Sequence, residues 1–196
     1  SASKFIKVCT VTAASEDPED SRTYYDELFK SYTSDKYTVE TYWVPVDLKH
    51  IENNKDPQVI SNIQQCNIIF FGGGDQSRLN TCFFENPKGS REDSPVLAQI
   101  RKLFLNSTVL IAGTSAGTTI QQGNHEMVSG GESYYAVRNG AFPFVDDKHP
   151  DNLSYDPEGG FGFFTLGVLD THFSERGRQG RVIRLASHMK LPLAFG

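Results

Sequence analysis

Three short apolar runs set the terms on which this chain can fold: Phe5–Val11 (FIKVCTV), Asn67–Phe71 (NIIFF) and Val109–Ala112 (VLIA). Each is short and rich in β-formers, and each gives way to small or glycine-rich residues, as strands buried in a parallel sheet do. Helical patterns lie between them. Tyr24/Tyr25, Leu28/Phe29 and Tyr32 recur at the spacing of one buried face, with Asp20-Ser21 offering caps. Asp56-Pro57 opens a short helix reaching Gln65, and Ser94–Asn106 carries Val96, Leu97, Ile100, Leu103 and Phe104 on one side. Tyr37–Val46 alternates into a further strand. Strands and helices in alternation imply βαβ units, hence an α/β fold with a mostly parallel sheet flanked by helices on both faces.

Periodicity fades between Gly123 and Gly162, where a long loop region or irregular hairpin is expected. Its carboxylates, Asp146-Asp147, Asp151 and Asp156-Pro157-Glu158, lack the spacing of a calcium loop, so no metal is expected. Phe163–Leu169 then reads as a strand, Asp170–Gly177 as a loop, Arg178–Met189 as a helix, and Leu191–Gly196 (LPLAFG) as the start of another strand.

Composition narrows the function classes. A hydrophobic share of 38% and a charged share of 22% over 196 residues exclude disordered and fibrous chains and suit a single domain. The net charge of -5 removes the general footprint of a nucleic-acid binder. No apolar run reaches the roughly 18–20 residues of a membrane span. The start Ser1-Ala2-Ser3-Lys4 has neither an initiator Met nor a signal peptide's apolar core, so a processed or engineered N-terminus is expected. Cys9, Cys66 and Cys82 match no zinc or redox spacing; buried free thiols are the plain reading, with one disulfide as the alternative. The sequons at Asn106 and Asn152 hint at secretion, although chance alone supplies as many.

In sheets of this kind the ligand site lies beyond the carboxyl ends of the strands, so the residues after Phe71, Ala112 and Leu169 matter most. After Ala112 comes Gly113-Thr114-Ser115-Ala116-Gly117, leading into a helix-compatible Thr118-Thr119-Ile120. Small neighbours permit the tight strand-to-helix turn that presents a serine hydroxyl, which makes Ser115 a candidate nucleophile; a glycine-rich turn is the alternative. After Phe71 comes Gly72-Gly73-Gly74, one of whose N–H groups, with that of Ala116, suits an oxyanion. No Lys follows at phosphate-loop spacing, and Ser77 spoils the dinucleotide fingerprint, so no cofactor is expected. After Leu169 comes Asp170-Thr171-His172-Phe173. A neutral imidazole within reach of Ser115 would take its proton and return it to the leaving amine, so His172 is the candidate base. His50, His125, His149 and His188 fall on loops or a helix face. Arg176, Arg178 and Arg181 are expected at the mouth of the same cleft, where their forks suit a peptide bearing carboxylates; an exposed helix start is the plain alternative.

These pieces together resemble the cyanophycinase-like serine peptidases, relatives of the aspartyl dipeptidases within the class I glutamine-amidotransferase-like fold, a flavodoxin-like three-layer arrangement. The resemblance rests on Phe70-Phe71-Gly72-Gly73-Gly74-Asp75-Gln76, on Gly113-Thr114-Ser115-Ala116-Gly117 and on the run from Asp170-Thr171-His172 through Arg176, Arg178 and Arg181. It implies Ser115 as nucleophile and His172 as base, with Gly74 and Ala116 forming the oxyanion hole. It places Gln76, Asp170, Thr171, Arg176, Arg178 and Arg181 along the substrate site. The substrate class it implies is aspartyl-containing peptides, such as the β-aspartyl-arginine polymer, cleaved through an acyl-enzyme.

Two positions depart from that family. Thr118 stands where Ala is usual, and the family's triad acid, a Glu just past the position of Gly196, is not in this chain. Residues 1–196 therefore read as one α/β serine-hydrolase domain incomplete at its C-terminus. A second chain or C-terminal fragment from a proteolytically processed precursor is expected to complete the sheet and supply the Glu. The alternatives are a shortened chain or an inactive relative with a binding, storage or structural role. An α/β-hydrolase esterase drawing its acid from Asp146, Asp147 or Asp151 is a further reading. Secreted or lumenal placement is expected, with cytoplasmic as the alternative, and a homodimer stays open.

Overall fold

A computed structural model describes residues 4–87, 90–123, 126–144 and 147–196. Their contacts group them into two compact units, Ser1–Gly113 and Thr114–Gly196.

The first unit runs β1 (Lys4–Val11), α1 (Pro18–Lys30), β2 (Tyr37–Val44), α2 (Pro57–Ile63), β3 (Ile68–Phe71) and α3 (Gln76–Phe83). The short antiparallel pair β4 (Phe84–Glu85) and β5 (Glu92–Asp93), then α4 (Pro95–Leu105) and β6 (Leu110–Gly113), complete it. Its sheet has the order β2-β1-β3-β6, and every neighbouring pair is parallel. Because successive side chains of a strand face opposite ways, Phe70 and Phe71 carry the two faces of the sheet apart. Phe70 meets Tyr25 and Phe29 of α1 at ring distances of 4.9 and 5.0 Å, while Phe71 meets Phe83 of α3 at 6.4 Å. Helices thus cover both faces, as the alternating pattern predicts.

Helix starts follow side-chain caps. Asp17, Asp56, Asp75 and Ser94 each accept a first-turn N–H, and proline occupies the first turn of α1, α2 and α4, where its missing donor costs nothing. Two expectations change here. The cap of α1 is Asp17 rather than Asp20-Ser21, and its five-residue apolar face is narrower than the spacing suggests: Tyr24 and Tyr32 are exposed, and Tyr25 and Phe29 make the contact. Helix α3 and a 3-10 turn at Ile51–Lys55 were not foreseen. The cysteines also depart from the plain reading: Cys9 and Cys66 form a disulfide, with Cα atoms 5.9 Å apart, and only Cys82 is a buried free thiol. The lone register that brings β1 beside β3 places Cys9 opposite Ile69, close to the turn that carries Cys66.

In the second unit, α5 (Ala116–Thr119) follows Ser115 directly. The stretch expected to be loop holds real structure: β7 (Met127–Gly130), α6 (Ser133–Asn139), β8 (Ala141–Pro143) and β9 (Leu153–Asp156), the strands forming a sheet of order β7-β9-β8. Then come β10 (Val168–Leu169), α7 (Gln179–Met189) and β11 (Ala194–Phe195), with β10 and β11 paired in parallel. The strand expected over Phe163–Leu169 is thus reduced to its last two residues. Val128, Ala136, Leu153, Tyr155, Val168, Leu185 and Ala186 form the core of this unit, so α6 and α7 close over the three-stranded sheet. No described helix is long and apolar enough to cross a membrane. Among the described residues no cluster of His, Cys, Asp or Glu could hold a metal ion.

Candidate active site

Ser115 sits at the turn between β6 and α5 with φ 51 and ψ -121, a conformation that a residue with a Cβ adopts at a cost of about 1–3 kcal/mol. The turn is held by Gly117 N–H donating to the Thr114 carbonyl at 2.8 Å, and by Thr118 and Thr119 N–H groups donating to the Ser115 carbonyl at 2.9 and 3.0 Å. Ala116, as the first residue of α5, has an N–H with no acceptor inside the helix, available next to the serine hydroxyl.

The hydroxyl Oγ of Ser115 lies 2.7 Å from Nε2 of His172. His172 also has a positive φ, 53, so both members of the pair are held in the left-handed half of backbone space. With the ring proton on Nδ1, Oγ donates to Nε2, the arrangement in which an imidazole can accept a serine proton. Among the described residues no carboxylate hydrogen-bonds the His172 ring. Asp147 and Asp151 do not reach it, and Asp146 and His125 lie outside the described residues.

The loop carrying His172 is fixed from behind. Asp170, buried to 4% exposure, receives Nε and Nη2 of Arg181 at 2.6 Å each, and the Thr171 N–H donates to the same carboxylate at 2.8 Å. Arg181 is itself buried, and its Nη1 donates to the Gly131 carbonyl at 2.9 Å. The carboxylate of Asp170 and the guanidinium of Arg181, both expected along the substrate site, are spent on each other. Arg178 donates to the Thr171 carbonyl at 2.9 Å and stands 3.7 Å from Asp170. Burial, reinforced by the charge of Arg181, pulls the Arg178 guanidinium below its ordinary value, with Asp170 opposing. Arg176 alone of the three arginines is exposed.

Arg176, Gly177 and Arg178 line a hollow of about 420 Å³ together with Gly131, Glu132, Ser133 and Tyr134. The second strip was not foreseen, since it lies in the stretch that lost all periodicity. Ser133 ties the walls together: its Oγ donates to the Gly177 carbonyl at 2.5 Å.

Gly74 and Gln76 belong to the first unit, where β3 ends. Gly74 has φ +136, and a Cβ there would drive into the Ala14 carbonyl, so only glycine suits the position. Gln76 opens α3 after the Asp75 cap.

No protein-family model matches the chain. Among curated proteins, the cyanophycinase of Trichormus variabilis is 28% identical over 182 residues, covering 92% of this chain and 51% of its own length. The cyanophycinase of Geminocystis herdmanii is 27% identical over 151 residues, covering 77% of this chain and 47% of its own. The chain spans about half the length of these relatives. The crystal structure of a peptidase from an acI-B1 Actinobacterium superposes with a TM-score of 0.58 at 19% identity, covering 96% of this chain and 63% of that one. That is a likeness of fold.

Proposed function

We propose that this chain, which is similar to cyanophycinases over about half their length, carries the nucleophile and base of a serine-type peptidase acting on aspartyl-containing peptides. The observation that carries this reading is the 2.7 Å bond between Ser115 Oγ and His172 Nε2 at a strained strand-to-helix turn. His172 takes the hydroxyl proton as Oγ attacks the scissile carbonyl, and the Ala116 N–H stabilises the oxyanion. The imidazolium then protonates the leaving amine, leaving an acyl-enzyme on Ser115. Water, deprotonated by the same ring, releases the acid.

The hollow beside this loop suits the substrate. Arg176 and Arg178 present cationic groups for carboxylates, and Glu132 and Tyr134 form its other wall. Asp170 and Arg181 serve as scaffold beneath Thr171 and His172. An orienting Glu from a companion chain or further segment, which the family resemblance implies, is part of this proposal. The Cys9–Cys66 disulfide supports a secreted or lumenal setting, since such bonds persist in oxidising compartments.

The test is to incubate the protein with β-linked and α-linked aspartyl peptides and identify products by mass, beside Ser115→Ala. Release of products by the wild type and none by the variant is expected. Equal release by both would refute the assignment of Ser115.

A further inference from the structure

Gln122 is fully buried seven positions after Ser115, and its carboxamide is spent on the strand that leads to His172. Its Oε1 accepts the Leu169 N–H at 2.7 Å, and its Nε2 donates to the Gly167 carbonyl at 3.0 Å. Those two groups flank Val168 on one edge of β10, and they are the pair that a neighbouring strand would engage. The opposite edge is taken by β11, through Val168 N–H to Leu193 and Asp170 N–H to Phe195, at 3.2 and 2.9 Å. A strand of two residues is thereby held on both sides, once by backbone and once by a side chain.

Gln122 is equally fixed at its own end. The coil from Ser115 continues through Ile120, Gln121 and Gln122 N–H groups, which donate to Ala116, Thr118 and Thr119 at 2.9, 3.0 and 3.1 Å. Gln121 Nε2 donates back to the Gly117 carbonyl at 2.7 Å. The Gln122 carbonyl accepts from both Gly160 and Gly162, at 3.0 and 3.1 Å, and the approach is close: a Cβ on Gly160 would strike the Ile120 and Gln122 carbonyls, and one on Gly123 would strike the backbone of Gly162. Starting from Ser115, a closed circuit therefore runs down α5 to Gln122, across its carboxamide to β10, up through Asp170 and Thr171 to His172, and back through the Ser115–His172 bond.

We infer that Gln122 is a positioning residue that sets the separation of Ser115 and His172. It touches neither reacting atom; it fixes where the His172 strand stands relative to the nucleophile's helix. Misplacement of a catalytic group by about 1 Å can cost on the order of 100-fold in rate, while ground-state binding is spared. This inference rests on Ser115 and His172 being the reacting pair.

The experiment measures covalent labelling by a fluorophosphonate, separating the maximal rate of inactivation from the apparent affinity for the probe. Gln122→Met keeps the volume and removes both hydrogen bonds. Its inactivation rate is expected to fall 10- to 100-fold with apparent affinity within twofold. A rate within twofold of wild type in folded Gln122→Met overturns the inference. Should that variant fail to fold, Gln122→Glu decides. Its protonated carboxyl can both accept from Leu169 and donate to Gly167, whereas its carboxylate must face the Gly167 carbonyl. Labelling of Gln122→Glu is expected to collapse toward high pH, with an alkaline limb absent from wild type. A profile that superposes on wild type overturns the inference. Failure of the pair itself looks different: Ser115→Ala would then be labelled as fast as wild type.

Discussion

Arg181 holds Asp170 with two nitrogens, each 2.6 Å from a different carboxylate oxygen, and both side chains are almost wholly out of solvent. Removing one member of such a pair strands a buried charge. Asp170→Ala or Arg181→Met is expected to cost about 3–5 kcal/mol, read as a lower urea midpoint at unchanged slope. Asp170→Leu with Arg181→Met should recover most of that loss, since an apolar pair replaces a buried ion pair at little net cost. A double variant as unstable as the sum of the singles would count against this account.

The strained serine makes an opposite prediction for stability and activity. Ser115→Gly removes the Cβ that makes φ 51, ψ -121 costly, so the folded state should gain about 1 kcal/mol. The same variant loses the nucleophile and should neither turn over peptide nor take up a fluorophosphonate. Chemical denaturation and labelling on the same sample check both halves.

Gly74 answers to geometry rather than chemistry in the first instance. Alanine there meets the Ala14 carbonyl in a backbone region that disfavours any Cβ, and it disturbs the Asp75 N–H bond to that carbonyl, 2.9 Å long. Gly74→Ala should cost about 2 kcal/mol or more, visible as a lower Tm.

Burial, with help from Asp47, pushes the Cys82 thiol up to about 12, well above its ordinary range. Native protein should resist alkylation at pH 8, with one thiol appearing in urea and three after reductant. The unfolded thiol ionises first as pH rises, so this group's contribution to stability is complete below about pH 9 and is lost progressively toward pH 12. Stability that rises over that interval would contradict the sign.

Much of the first unit is legible in the chain because its core strands are apolar runs and because α2 and α4 begin at Asp or Ser followed by proline. The bounds at Pro57 and Pro95 follow from that chemistry. Ser115 and His172 stand out because glycine-flanked serine and a strand-end histidine are local patterns. What escaped notice is set by contacts distant in sequence. Tyr24 and Tyr25 have the same periodicity, and only the position of Phe70 decides which is covered. Strands β7, β8 and β9 draw their order from packing against α6 and α7, not from alternation. Gln122 carries no signal at all: a glutamine after a short helix reads as solvent-facing until its backbone partners are known.

The bond between Cys9 and Cys66 closes a ring whose ends are separated by 57 positions, and the fully exposed segment 31–36 lies inside it. A protease that severs the peptide backbone there leaves both pieces tethered. Clipped material would migrate as an intact species on a non-reducing gel and fall apart only with reductant. In an oxidising milieu, a nick at this site therefore does not release the first strand from its sheet.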